Sequence, residues 1–146
     1  MQITSKFTIA VHIITAIDYF KDSMKVTSSF LAGSVGANPV IVRQVMGNLK
    51  AVGIIESSQG KSGICLAKKL DNITFYDVYK AVECIDDKGL FHFHEKPNMQ
   101  CPVGRNIHYA MDGRLRQVQD AMETQLRRIT VANVAADIKK EVASSK

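Results

Sequence analysis

The chain has 146 residues, 46% of them hydrophobic and 23% charged, which suits a globular domain able to bury most of its apolar surface and excludes disordered and fibrous classes. Its longest apolar stretch, Ile9–Ile17, is broken by His12 and falls short of the roughly 20 residues a spanning helix needs, and its first five residues show no leader pattern, so a cytoplasmic protein without a membrane partner is expected. Nineteen Lys plus Arg against fourteen Asp plus Glu leave a net charge of +5, which suits a polyanionic partner, and three cysteines, Cys65, Cys84 and Cys101, point to reduced thiols rather than disulfides.

Phe7, Val11, Ile14 and Ile17, with Ile9, Ile13 and Phe20, recur at helical spacing and predict a largely buried helix over Lys6–Phe20, capped by Thr4 or Ser5. Thr27 caps a second, shorter helix with Phe30, Leu31 and Val35 on its apolar side, and Gly36 stops it. Asn38 as N-cap and Pro39 as first helical residue open a third helix running to about Val52. Its apolar stripe is Ile41, Val42, Val45, Met46, Leu49 and Val52, leaving Val40, Arg43, Gln44, Gly47 and Lys50 on the opposite face. Two short helices about a glycine turn, the second displaying Arg and Gln in its first turns, describe a helix-turn-helix; an ordinary αα-hairpin is the alternative.

Ile54–Ser58 and Ile64–Ala67 read as two strands joined by the turn Gln59-Gly60-Lys61-Ser62-Gly63. A β-hairpin directly after the third helix makes the pattern a winged helix, in which a flexible tip approaches phosphates and Lys61 neutralises one. A solvated hairpin that merely covers the core is the alternative. Asn72-Ile73-Thr74 then opens a helix from Phe75 to about Cys84, with Val78, Tyr79 and Val82 apolar; Asp86–Gly89 breaks it, and Leu90–Gln100 reads as a loop.

Pro102 opens a long helix whose apolar residues, Ile107, Met111, Leu115, Val118, Met122, Leu126 and Ile129, form a narrow heptad-type seam. About 26 residues at roughly 1.5 Å each make a rod of about 39 Å, longer than a small domain is wide, so the seam reads as a dimer contact unless the helix folds back on its own chain. Thr130 caps a short last helix with Val131, Val134 and Ile138 apolar, and fraying is expected over Glu141–Lys146. The expected class is mainly α with a small β-hairpin wing: a winged helix-turn-helix over residues 1–84, a connecting loop over 85–101, and a dimerisation helix with a terminal helix over 102–146.

The order of elements, the stretch Asn38-Pro39-Val40-Ile41-Val42-Arg43, the wing Ser57-Ser58-Gln59-Gly60-Lys61-Ser62-Gly63 and the segment Pro97-Asn98-Met99-Gln100-Cys101-Pro102-Val103-Gly104 resemble the Rrf-two family of bacterial winged-helix regulators, most of all its YwnA-like branch. The resemblance covers the chain from Met1 to about Ile138. It implies a homodimeric transcription factor, usually a repressor, on a pseudo-palindromic operator in double-stranded DNA. Members of the family often sense iron–sulfur status, nitric oxide, redox state or cysteine supply.

On this reading Thr27, Ser28, Asn38, Pro39, Val40, Arg43, Gln44, Ser58, Gln59, Gly60 and Lys61 contact DNA, and Ile107, Met111, Leu115, Val118, Met122 and Leu126 meet a second protomer. The best-known members carry three closely spaced cysteines that hold an iron–sulfur cluster. Only Cys101 stands in that region here, so no cofactor is expected. His92, His94, Cys101 and His108 are ligand types that zinc takes, but their spacing matches no standard site and no metal is expected. Cys101, at a helix start with Arg105 one turn on, is the candidate sensor, a structural N-cap thiol being the alternative. No catalytic triad, carboxylate pair or phosphate-cradling loop appears, which argues against an enzyme. The competing functional class is a winged-helix module that binds protein instead of specific DNA.

Overall fold

The computed structural model describes residues 3–58, 63–83 and 89–145. Six helices and one hairpin follow in order: α1 Ser5–Phe20, α2 Ser28–Val35, α3 Pro39–Ala51, β1 Ile55–Ser57, β2 Ile64–Leu66, α4 Phe75–Val82, α5 Pro102–Arg128 and α6 Val131–Ser144, with one 3₁₀ turn at Leu70–Asn72. The fold is the mainly helical winged helix expected from the sequence.

α1 is the central pillar, packed against α2, α3, α4, α6 and β2. Nine consecutive or near-consecutive residues from Ile9 to Asp18 are buried, which explains the breadth of its apolar face. Thr4 caps it, and the Glu83 carboxylate accepts hydrogen bonds from the Thr4 backbone N–H (3.0 Å) and hydroxyl (2.9 Å). That contact ties the start of α1 to the end of α4. α6 is held to α1 by apolar contact and by Lys139, which reaches the nearly buried Asp18 at 3.7 Å while Lys21 sits at 3.1 Å. Burying Asp18 without such cations would be costly.

Several boundaries differ from the sequence expectation for identifiable reasons. α3 ends at Ala51, and Val52 is 48% exposed rather than part of the stripe, because Gly53 at φ 74° swings the chain away to bury Ile54. The strands are one or two residues shorter than expected, though the Ala67 N–H still donates to the Ile54 carbonyl at 2.9 Å. α4 stops at Val82, and Cys84 lies outside the described residues. α6 does not fray from Glu141 but runs to Ser144; the hydroxyls of Ser144 and Ser145 both donate to the Glu141 carbonyl, and Val142 is half-buried.

Candidate nucleic-acid interface

The helix-turn-helix is built by its caps. The Thr27 hydroxyl oxygen accepts from the Phe30 N–H at 3.1 Å, opening α2. Gly36, at φ 71°, ends it in the left-handed conformation that other residues adopt only with strain. Asn38 then caps α3 through Oδ1, which accepts from the Val40 N–H at 2.9 Å, and Pro39 needs no hydrogen-bond acceptor at its position.

Burial of Val42, Val45, Met46 and Leu49 fixes the rotation of α3. Arg43, Gln44, Gly47 and Lys50 consequently face outward, and Val40 is 67% exposed. Thr27 and Asn38 are also at the surface, and Ser28 is half-buried at the α2 N-terminus. Because the Asn38 side-chain oxygen is engaged by the cap, its amide hydrogens remain as its donors at the surface. The Thr27 hydroxyl likewise keeps its proton to donate.

The wing root stands beside this face. β1 and β2 pair antiparallel with Ile55 opposite Leu66, Glu56 opposite Cys65 and Ser57 opposite Ile64, and the Ser58 N–H donates to the Gly63 carbonyl at 2.7 Å. The tip residues Gln59, Gly60 and Lys61 lie outside the described residues. The Ile64 N–H donates to the Val26 carbonyl at 2.9 Å, so the wing root pairs with the segment that leads directly into the Thr27 cap. At Gly63, φ is 65° and a Cβ would stand 2.3 Å from the Val26 carbonyl oxygen and 3.0 Å from the Lys25 Cγ. Only glycine fits. The exposed Lys25 thereby stands beside the wing root, a neighbourhood that no local pattern announced because the pairing is made across the chain.

The region between the wing and α5 is built around Asn98. Its carbonyl accepts from the Cys101 N–H (3.1 Å), its Oδ1 accepts from the Gln100 N–H (2.9 Å), and a Cβ at Gly104 would stand 2.3 Å from that carbonyl oxygen. This close approach is the physical content of the segment Pro97–Gly104. Cys101 is the N-cap residue of α5 and is half-buried. Its sulfur makes no full capping hydrogen bond, yet the N–H groups of Gly104 and Val103 point toward it and hold its pKa below the ordinary thiol value. Cys65, by contrast, is pushed up by burial and by its Glu56 neighbour.

Upstream, the loop folds onto α5. The Leu90 N–H donates to Gln119 Oε1 at 3.2 Å, and Leu90 is buried. The Phe93 ring lies 4.7 Å and the His94 ring 5.5 Å from the His108 ring, while His92 is exposed. Among the described residues no group of three or more His, Cys, Asp and Glu side chains converges as a metal site requires.

α5 itself has no buried residue along its 27 positions. α4 packs against its C-terminal half, where the Arg127 guanidinium lies 3.9 Å over the Tyr76 ring. Of the seam, Ile107, Leu115, Met122 and Leu126 are half-buried within the chain, whereas Met111 and Val118 are 36% and 54% exposed. No helix of the described residues is long and apolar enough to cross a membrane.

Comparison with known proteins follows the same outline. The model of the Rrf2 family, described as an iron-dependent transcriptional regulator, matches residues 3–137. YwnA of Bacillus subtilis (strain 168), provisionally named an HTH-type transcriptional regulator, is 38% identical over 125 residues, covering 86% of this chain and 90% of YwnA. A crystal structure of a protein provisionally named as DNA-binding is 32% identical with a TM-score of 0.69, over 89% of this chain and 98% of that one. T. potens IscR shares the fold at a TM-score of 0.70 and 18% identity, over 97% of this chain and 90% of its own.

The iron dependence in the family's description finds no matching donor set among the described residues. Cys65 sits on β2 with its Sγ donating to Glu56 Oε1 at 3.6 Å, Cys101 opens α5, and Cys84 lies outside the described residues. The matched family and relatives are transcriptional regulators, not enzymes. With the fold, the exposed face of α3 and a family match across residues 3–137, the chain belongs to the Rrf2 family of winged-helix transcriptional regulators.

Proposed function

We propose that the protein is a homodimeric repressor that binds a pseudo-palindromic operator, with α3 of each protomer in a major groove and the α2 N-terminus and wing on the flanking phosphates. The observation that carries this reading is the outward face of α3, where Val40, Arg43, Gln44, Gly47 and Lys50 are free of the core between two backbone-positioning elements. Arg43 has the reach and fork geometry to pair with guanine O6 and N7. α5, with no buried residue, supports dimerisation along Met111, Leu115, Val118 and Met122. Selection of bound fragments from the host genome with purified protein tests the reading and returns the operator. Binding that is insensitive to ionic strength would instead favour a protein partner, since phosphate contacts release counterions and weaken steeply with salt.

A redox response at Cys101 is the finer reading, supported by its lowered pKa at the start of the helix that leaves the DNA-reading domain. The Cys101 thiolate attacks one oxygen of hydrogen peroxide, the O–O bond breaks, a sulfenic acid forms on sulfur, and hydroxide leaves. Bulk added beside Gly104 and Asn98, where the fit is tight, shifts α5 against the winged helix and so changes the spacing between the two reading heads. On this reading the regulator works without an iron–sulfur cluster, and the purified protein is colourless, with no cluster absorbance.

A further inference from the structure

Between α1, the end of α2 and the outer side of α6 runs a cleft of about 560 Å³, a volume within the range of small-molecule sites, roughly 300–1,000 Å³. Its walls are apolar, with Val11 and Ala16 from α1 and Val134, Ile138 and Val142 from α6. Tyr19 and Ile138 remain 39% and 40% exposed along it. Four polar side chains interrupt these walls: the Thr8 and Thr15 hydroxyls donate back to the Ser5 and Val11 carbonyls of α1 itself, whereas His12 Nε2 and Ser34 Oγ lie 2.9 Å apart and bridge α1 to α2.

At the other end an edge-to-face run of rings, Tyr19 to Phe20 at 4.8 Å and Phe20 to Phe30 at 5.0 Å, makes a second bridge from α1 to α2. The cleft therefore meets the end of α2 directly at Ser34 and its first turn indirectly, through Phe20. Where it continues along α6, Asp137 and Glu141 line it. Those carboxylates disfavour an anion and favour a neutral polar group.

We propose that this cleft is a ligand site for a small neutral aromatic alcohol, its ring lying against Tyr19 and Ile138 and its hydroxyl taking the place of Ser34 on His12. Apolar walls that include Tyr19 and Phe20, with His12 as the anchor not tied to its own helix, select such a molecule, because the ring gains burial and edge-to-face contact while one hydrogen bond sets its orientation. Occupancy withdraws His12 from Ser34 and so loosens the end of α2 that leads through Gly36 into α3. The ligand would thus bias the reading helix from a distance, by acting on the contact between α1 and α2.

The probe is 2-naphthol, followed by its own fluorescence and by calorimetry, with naphthalene and 2-naphthoate as controls. Saturable binding of one 2-naphthol per chain is expected, with 2-naphthoate weaker. Ile138→Glu places a charge against the ring and is expected to weaken binding by about tenfold or more, while circular dichroism melting confirms that the variant folds. His12→Leu is expected to cost roughly two- to tenfold for 2-naphthol and little for naphthalene, which makes no such hydrogen bond. No saturable binding, binding unchanged by Ile138→Glu, or equal loss of both probes in His12→Leu would overturn the site. So would a change of oligomeric state in Ile138→Glu, which would mean that a second copy covers the cleft. These assays contain no DNA, so they stand apart from the operator reading; a fall in operator affinity at saturating 2-naphthol tests the coupling alone.

Discussion

Thr74 and Thr130, fifty-six positions apart, face each other as paired helix caps. Each opens a helix through a capping box, Thr74 with Asp77 for α4 and Thr130 with Asn133 for α6. The two are joined by an antiparallel bridge in which the Phe75 N–H donates to the Ile129 carbonyl (2.8 Å) and the Val131 N–H to the Ile73 carbonyl (2.9 Å). The bridge fixes where the long helix ends and the chain turns back onto α1.

Thr130→Val keeps the shape and the extended backbone but removes the oxygen that accepts from the Asn133 N–H. A loss of about 1 kcal/mol is expected, read as a fall of roughly 2–4 °C in Tm for a chain of this size. Thr130→Ser should restore most of it. Equal stability of Thr130→Val and the wild type would show that the backbone bridge alone holds the junction.

Two glycines test the difference between strain and collision. Gly36 and Gly63 both have positive φ, but space around Gly36 is open, whereas a Cβ at Gly63 would meet the Val26 carbonyl oxygen. Gly36→Ala should cost about 1–2 kcal/mol, the left-handed penalty alone. Gly63→Ala should cost more and separate the wing from Val26, with lower affinity for every duplex sequence. Denaturation midpoints and binding to random DNA measure both; equal costs would mean that the wing root moves aside freely.

The caps at Thr27, Asn38, Thr74 and Thr130 and the prolines at 39 and 102 were legible because each is a local device, with residue type and position explaining one hydrogen bond or one missing donor. The outward face of α3 followed from periodicity for the same reason. What the pattern did not disclose was built between distant segments: Val26 on Gly63, Glu83 on Thr4, and the loop from Gly89 docking through Leu90 and Phe93 onto α5. None of these leaves a period in the sequence. Val52 was read as core because its spacing fits the stripe, although the Gly53 turn removes it from the helix before that face is buried.

Dimerisation is best probed at Val118, which is 54% exposed in the single chain. Val118→Glu should leave the fold near wild-type stability, yet a carboxylate buried without a partner between two helices costs several kcal/mol. Light scattering should therefore give a monomer, and operator binding should fall with it. A wild type that is monomeric at micromolar concentration would remove the proposed interface.

On DNA, Arg43 and Lys25 should behave differently. Arg43→Ala should cost roughly 1–3 kcal/mol and relax base preference at one position in each half-site. Lys25→Ala, beside the wing root, should weaken all sequences alike and flatten the dependence on salt by about one phosphate contact per protomer. The same is expected of Lys61→Ala at the wing tip. Indistinguishable behaviour of Arg43→Ala and Lys25→Ala would mean that α3 positions rather than reads.

Cys101 and Cys65 should separate by reactivity. The N–H groups of Gly104 and Val103 favour the Cys101 thiolate, while burial and Glu56 disfavour that of Cys65. Because thiolate is the reacting form, the pH profile of iodoacetamide labelling should rise at lower pH for Cys101 than for Cys65, and near neutral pH Cys101 should be labelled first. If the same thiolate senses oxidant, mild peroxide lowers operator affinity in the wild type, whereas Cys101→Ser keeps the affinity and loses the response. A response that persists in Cys101→Ser moves the sensor to another thiol. A wild type that ignores peroxide, with Cys101 nevertheless labelled first, would leave the lowered pKa as a consequence of helix capping and assign control of the operator to a ligand instead.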